Sequence, residues 1–319
     1  MTVPGDDPRL SAVSADGAVD GSPEALVARV QRALNRIRFE NQSRPVQATI
    51  VVLGLGFLIV GTVLSLTRLD LSAAEMRWDA IVAAAVLGLL LIPLNALEFA
   101  ASGRLAGTQV AFGKAVEVTI VASAFNVLPV PAGIAVRIRG LYRSGTGTKT
   151  AVLATGLMGL TWLSWGLLVG AGVLFVLDSL GFGLAFLAAG LVGLAVAWSL
   201  LRPRPGSERF ELLGTASILE LAFLSLAAIR FYLVVVGIGV AVAPAQAVVL
   251  AVGSVLASTL GVIPGGLGVW EGISAALAVL VSLPASVGFL AAAILRVMGL
   301  IQNSLAAVGL ALLRSRPQD

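Results

Sequence analysis

The chain has 319 residues, of which 58% are hydrophobic and only 12% are charged, and its formal net charge is +4. Soluble domains carry about 25% charged residues, so this composition predicts an α-helical protein that crosses a membrane several times. The sequence contains no Cys and no His, which excludes disulfides, thiolate or imidazole catalysis and the common zinc sites. We therefore expect no metal and no cofactor. The arginines flank apolar segments, so the positive charge indicates membrane topology and anionic lipid rather than nucleic acid.

The N-terminal region differs from the rest of the chain. Residues 1–21 are rich in Asp, Gly, Ser and Ala without periodicity, which predicts a disordered tail. Ser22 and Pro23 then form a favourable helix start, and apolar residues recur at helical spacing beside four arginines. Residues 22–44 are therefore predicted to form an amphipathic helix. It lies either on the membrane surface or against the cytoplasmic ends of the spans.

Six apolar segments are long enough to cross a hydrocarbon core of about 30 Å. They are Val46–Leu66, Ala80–Phe99, Ala151–Leu177, Phe182–Leu201, Leu212–Val240 and a last segment from Pro284 to Leu313. Two further apolar segments, residues 115–136 and 245–283, are interrupted by Pro and Gly. We expect both to be re-entrant hairpins that enter the membrane and return to the side from which they came.

The two interrupted segments resemble each other. Val121–Arg137 reads VASAFNVLPVPAGIAVR and Leu256–Gly272 reads LASTLGVIPGGLGVWEG, so that a shift of 135 positions places Pro129 on Pro264. The same shift pairs the predicted spans and predicts two membrane repeats, residues 45–177 and 178–313. The arginine distribution places both termini in the cytoplasm and makes the repeats inverted. Such paired interruptions indicate a transporter binding site, although ordinary Pro/Gly loops are the alternative.

The residues at these interruptions also resemble a known family. PGGLGVWEG, residues 264–272, is similar to the signature of the lysylphosphatidylglycerol synthase transmembrane-region family, also called flippase-like integral membrane proteins. NVLPVPAGIAVR, residues 126–137, resembles that family's first motif, in which Asn, Leu-Pro, Gly and Arg recur. An acidic residue often follows the Gly in the family, whereas this chain has Ile134. The resemblance covers roughly residues 45–312.

The resemblance implies a function and a location. Family members are linked to moving anionic or aminoacylated phospholipids, or polyprenyl-linked glycolipids, across the cytoplasmic membrane. Some relatives carry a fused soluble synthase domain. This chain ends shortly after its last predicted span, so we expect a stand-alone member without that domain.

The candidate substrate-binding residues lie at the two interruptions and just beyond them. They are Asn126, Pro129, Gly133, Arg137, Arg139, Pro264, Gly265, Gly266, Gly268 and Glu271. The planar guanidinium of Arg binds phosphate oxygens bidentately, and backbone amides at broken helix ends favour anions without a charged side chain. The alternative for Arg137 and Arg139 is that they only mark the cytoplasmic boundary.

Further charged residues lie within or beside apolar segments and form a candidate intramembrane charge network. They are Glu98, Glu117, Glu220, Arg230 and Arg296. Arg230 and Arg296 are expected either to receive a lipid phosphate or to pair with nearby carboxylates. Glu117 and Glu271 either titrate and couple proton binding to transport or act as fixed counter-ions.

Lipid transport is the function that these patterns favour. The alternatives are a membrane-embedded lipid-modifying enzyme and a non-transporting scaffold for cell-envelope synthesis. The sequence contains no nucleotide-binding motif and no catalytic constellation, so we expect a non-enzyme driven by an ion gradient, the lipid gradient or a partner. Membrane lipids are the expected partners, and a homo-oligomer or a separate lipid synthase stays open. We also expect one cavity between the hairpins, open sideways to lipid.

Overall fold

The computed structural model describes residues 44–69, 76–125, 132–259 and 268–314. The predicted tail, residues 1–21, lies outside these ranges, and so does the predicted amphipathic helix of residues 22–44 except for its last residue. Within them all regular secondary structure is α-helical, which confirms the predicted class. The helices are α1 Arg44–Leu69, α2 Trp78–Gly88, α3 Leu91–Leu105, α4 Phe112–Phe125, α5 Ala132–Arg143, α6 Thr148–Val176, α7 Leu180–Leu200, α8 Gly206–Gly237, α9 Pro244–Thr259, α10 Val269–Leu280 and α11 Ala285–Arg314.

Five helical stretches in the described residues are long and apolar enough to cross a membrane. They are Trp78–Leu105 (α2 with α3), Thr148–Val176 (α6), Leu180–Leu200 (α7), Gly206–Gly237 (α8) and Ala285–Leu313 (α11). Their outward surfaces carry large apolar side chains, such as Phe182 and Leu305, which are 57% and 67% exposed. Such surfaces are stable against lipid and unfavourable in water. The protein is therefore a polytopic membrane protein, and the predicted first span corresponds to the 26-residue helix α1.

Two pairs of short helices occupy the interrupted segments. The arms α4, α5, α9 and α10 have 14, 12, 16 and 12 residues, so each is about 18–24 Å long, which is too short to cross about 30 Å. In both pairs the arms pack against each other. A Cβ on Gly140 of α5 would lie 3.0 Å from Val118 Cγ1 of α4, and one on Gly253 of α9 would lie 2.9 Å from Ser274 Oγ of α10. Both pairs are therefore tightly packed hairpins.

The second arm of the first hairpin is longer than the sequence indicated. The predicted segment ends at residue 136, whereas α5 continues to Arg143. Its sequence AGIAVRIRGLYR combines an apolar face with three arginines, so the helix can follow the hairpin and still reach a polar boundary. Arg137 and Arg139 consequently lie on the hairpin arm rather than after it.

The helices pair at the same shift of 135 residues. This shift places α1 on α7, α2 with α3 on α8, α4 on α9, α5 on α10 and α6 on α11. The packing follows the same correspondence: α1 packs on α11 as α7 packs on α6, and α4 packs on α11 as α9 packs on α6. Each half therefore packs its first helix and its first hairpin arm against the last helix of the other half.

The second span is interrupted by two turn residues, Leu89 and Leu90, where α2 gives way to α3. Pro93 has no N–H to donate to the preceding turn, and the chain tightens so that the Leu89 amide donates to Val86 O at 3.0 Å. The carbonyl of Ala85 loses its usual helical donor in this way. Gln302 of α11 donates its side-chain amide to that carbonyl. The interruption is thus stabilised by a polar side chain from the last helix.

Candidate functional site

Arg137 lies on α5 and is held by two side chains of α3. Its Nη1 donates to Glu98 Oε1 at 2.8 Å, and its Nη2 donates to Asn95 Oδ1 at 3.1 Å. Asn95 and Glu98 are three residues apart, so the helix presents them on one face. The side chains of Arg137 and Glu98 are 20% and 16% exposed. The described residues accept two of the five N–H groups of this guanidinium, and the others are available to a further acceptor.

Glu220 of α8 completes this group, which we call the Arg137 cluster: Asn95, Glu98, Arg137 and Glu220. Glu220 is 2% exposed and interacts electrostatically with Glu98 and Arg137. Its Oε1 is buried and has no hydrogen-bond partner in the described part of the chain. With all groups ionised, two carboxylates face one guanidinium, and the cluster carries one surplus negative charge.

A second charged group lies at the start of the second hairpin's second arm. Arg296 of α11 donates to both carboxylate oxygens of Glu271 of α10, with Nη2 at 3.2 Å from Oε2. The side chain of Glu271 is fully buried and that of Arg296 is 12% exposed. The guanidinium also lies 5.5 Å from the ring centroid of Trp270. The pair is balanced in charge, and this geometry favours the counter-ion interpretation of Glu271.

The two charged groups occupy nearly equivalent places in the two halves. Arg137 and Glu271 both lie on the second arm of a hairpin, one residue away from exact correspondence under the 135-residue shift. Each is bound by a helix of its own half, α3 for Arg137 and α11 for Glu271. The difference is the additional carboxylate of Glu220 in the first group.

Arg230 of α8 is buried but does not pair with a carboxylate among the described residues. Its Nε donates to Ala84 O of α2 at 2.9 Å, and its Nη2 is buried without a hydrogen-bond partner there. A Cβ on Gly88 would lie 2.7 Å from this Nη2 and 2.6 Å from the side-chain oxygen of Gln302. Glycine at this position lets both side chains reach the junction between α2 and α3.

The remaining predicted residues fall into three groups. Gly133 is buried near the start of α5, and Gly268 is buried before α10 with a φ of 80°, a left-handed conformation that favours glycine. Arg139 is exposed. Glu117 is partly exposed, and its Oε1 accepts a hydrogen bond from Lys114 Nζ at 2.8 Å. Five others lie outside the described residues: Asn126, Pro129, Pro264, Gly265 and Gly266.

A cavity of about 500 Å³ lies away from the charged groups. It is lined by Ala100, Arg104, Gln109, Val110 and Glu211. These residues belong to the end of α3, the loop that follows it and the start of α8. The cavity expected between the hairpins stays a prediction, because the connections between the hairpin arms lie outside the described residues.

Sequence reasoning missed two partners in these groups, Asn95 and Trp270. Asn95 could have been found from its spacing, because a residue three positions before Glu98 must share its helix face. The approach of Trp270 to Arg296 follows from the packing of α10 on α11, which no local pattern indicates.

No protein-family model matches the chain, and no curated protein sequence matches it. The family resemblance of the two hairpin segments therefore stays a prediction. The function has to be argued from the architecture and from the charged groups.

Proposed function

We propose that the protein is a lipid transporter that moves an anionic or modified phospholipid, or a polyprenyl-linked lipid, across the cytoplasmic membrane, with both termini in the cytoplasm. The observation that carries this proposal is the pair of equivalent hairpins, each with a charged group on its second arm. Short helices that stop within the membrane expose backbone amides and carbonyls, and transporters use such ends to bind substrate.

Arg137 is the residue that receives the lipid phosphate. Its planar guanidinium already donates to two oxygen acceptors on different side chains, Glu98 Oε1 and Asn95 Oδ1. A phosphate offers the same geometry with more negative charge, so it can replace or supplement these acceptors. A partly exposed side chain is required for this exchange, and Arg137 is 20% exposed.

The balanced pair of Glu271 and Arg296 has a different role. A buried ion pair whose two members bind each other closely is costly to open, because each charge would be left unpaired at low dielectric. Glu271 and Arg296 therefore fix the second hairpin against α11. The first hairpin therefore carries Arg137, which can exchange its acceptors for a lipid phosphate, whereas the second hairpin is held rigidly against α11.

Transport can be measured on purified protein in vesicles. Vesicles containing fluorescent lipids with anionic, zwitterionic and aminoacylated headgroups are treated with an impermeant quencher, and the rate at which protected lipid becomes accessible is recorded. We expect the protein to accelerate crossing of at least one anionic or modified class.

The same vesicles separate the alternatives. Mass spectrometry of the recovered lipids detects a membrane-embedded enzyme, which would change lipid mass. Unchanged lipid mass together with an unaccelerated rate for every headgroup would contradict the proposal and favour a scaffold.

A further inference from the structure

We infer that Glu220 is a proton-binding site and that its proton is the coupling ion of the transporter. The coupling part rests on the proposed function, whereas the proton site itself does not. Two observations carry the inference: the burial of a carboxylate oxygen that has no hydrogen-bond partner among the described residues, and the surplus of carboxylates over cations in the Arg137 cluster.

The first step concerns the cost of an ionised Glu220. Its side chain is almost completely removed from solvent, and no described group donates a hydrogen bond to Oε1. A carboxylate in such a position loses its hydration without gaining donors, which disfavours the charged form strongly. A proton supplied by water converts the carboxylate into a neutral carboxylic acid and removes this penalty.

The second step concerns the charges around Glu220. Glu98 and Arg137 interact with it electrostatically, and Arg137 already donates to Glu98. Helix α8 packs on α2, α3, α6, α9 and α11. The charged residues of those helices, besides Glu98, are Asp79, Arg104, Lys149, Arg296 and Arg314.

None of the cations in that set neutralises Glu220. Arg104 and Arg314 lie in the last turns of α3 and α11, and Lys149 lies in the first turn of α6. Arg296 binds Glu271. On α8 itself, Arg209 lies eleven residues before Glu220 and Arg230 ten residues after it, so both are about 15 Å or more away along the helix, and Arg230 donates to Ala84 O. Since no cation in the described part of the chain neutralises the surplus carboxylate, the charge that does so comes from solution.

The third step decides between a proton and a metal ion. A metal ion in an oxygen site needs several ligands, and Glu98 Oε1 and Asn95 Oδ1 are occupied by Arg137. In the described residues no group of three acidic side chains could hold a metal. A proton needs a single lone pair, which Glu220 Oε1 offers. The site therefore takes a proton.

The fourth step links the proton to the lipid. When Arg137 turns to a lipid phosphate, Glu98 loses its counter-charge while Glu220 lies beside it. Two adjacent carboxylates without a cation share a proton, as the repulsion between them favours one neutral group. The shared proton is the one that Glu220 already carries: hydronium gives it to the carboxylate oxygen and leaves as water, and water takes it back as hydronium when the lipid is released. One proton accompanies each anionic headgroup.

Infrared difference spectroscopy tests the proton site without reference to transport. The purified protein in lipid nanodiscs should show the C=O stretch of a protonated carboxyl group at neutral pH, because exposed carboxylates are ionised there. Glu220→Gln should lose this band. Asp178→Asn is the matched control, since Asp178 is exposed and Asn tolerates its positive φ of 56°. It should keep the band.

A second variant covers the case in which Glu220→Gln does not fold. Glu98→Gln leaves Arg137 free to pair with Glu220, so the band should disappear although Glu220 is intact. A band that is absent in the wild-type protein, or that is unchanged in Glu220→Gln, would overturn the proton site.

The vesicle assay tests coupling. A pH difference across the membrane should change the wild-type rate at least several-fold and should leave the Glu220→Gln rate unchanged. Wild-type transport that is indifferent to the pH difference would overturn the coupling. If no lipid moves at any pH while the infrared band is lost in Glu220→Gln, the proposed function fails and the proton site stands.

Discussion

Arg296 binds both carboxylate oxygens of Glu271, which is fully buried, and this pair joins the second hairpin to the last helix. The pair includes a residue that the sequence suggested as a titrating group. Because both charged groups are largely removed from water, separating them would leave two unpaired charges at low dielectric. We therefore expect the pair to stay together rather than to exchange a partner for a lipid phosphate.

Breaking this pair should destabilise the protein. Arg296→Gln leaves a buried unpaired carboxylate, so we expect a loss of about 3–5 kcal/mol in the free energy of unfolding. The double variant Glu271→Gln with Arg296→Gln has no unpaired charge and should lose less than the single variant. Denaturation in detergent measures both. Arg77→Gln is the control, because the pair of Arg77 with Asp79 is exposed and should contribute no more than about 1 kcal/mol. Equal loss in the single and double variants would contradict the argument.

Replacing Arg137 should impair lipid movement while the protein still inserts. Arg137→Gln removes a charge-assisted contact with phosphate, which contributes about 1.5–3 kcal/mol. This corresponds to a fall of about 10- to 150-fold in apparent affinity. Arg137→Lys should recover only part, because an ammonium cannot reproduce the planar bidentate contact. The vesicle assay with anionic lipids measures these rates.

The control for Arg137 lies on the same helix. Arg143 is exposed in the last turn of α5, so Arg143→Gln removes an equal charge without touching the Arg137 cluster. Similar transport in Arg137→Gln and in the wild type would mean that Arg137 is only a topological anchor.

The close packing of the first hairpin predicts a steric effect. In Gly140→Ala the new Cβ would lie 2.9 Å from Phe99 Cζ and 3.0 Å from Val118 Cγ1, so we expect a loss of about 1–3 kcal/mol by overpacking. Adding Val118→Ala should recover part of it by making space. Gly156→Ala in α6 is the control, since its Cβ would contact nothing within 4 Å. Thermal unfolding in detergent distinguishes the variants, and a neutral Gly140→Ala would be inconsistent with the tightly packed hairpin.

The orientation of the halves can be tested by cysteine labelling, for which the absence of native Cys provides a clean background. Single cysteines at Ser72 and Ser315 should differ: an impermeant thiol reagent added to intact cells should label only Ser72→Cys. The prediction follows from the basic residues near both ends of the chain. Labelling of Ser315→Cys from outside would refute a cytoplasmic C-terminus and with it the inverted arrangement.

The sequence predicted the helices better than it predicted their contacts. The fourth span was expected at Phe182–Leu201 and is observed at Leu180–Leu200, because the hydrocarbon core imposes a continuous apolar length that is visible in the sequence. The partners of the charged residues were left open. Glu98 and Arg137 are 39 residues apart, and local patterns do not show which carboxylate a given guanidinium reaches.

Burial was the second property that the sequence concealed. Because Glu117 and Glu271 lie near the hairpins, the sequence makes them candidates either for titration or for fixed counter-ions. The structure gives each of them a cation, Lys114 and Arg296, and no residue within the described ranges donates a hydrogen bond to Glu220 Oε1. Proximity to an interrupted segment can be read from the order of residues. The balance of charges in a buried cluster depends on helices that are distant in sequence.

The packing of α1 on α11 has a consequence for biosynthesis. The helix that enters the bilayer first contacts the helix that enters last among those described, and Phe57 meets Phe289 with ring centroids 5.6 Å apart. During translation α1 has to remain in the lipid as an isolated helix until α11 arrives, which its apolar surface permits. Assembly of the first half is completed only when the second half has been inserted. Chains that stop early leave α1 without its partner, and their first helix is exposed to the proteases that remove unassembled membrane proteins.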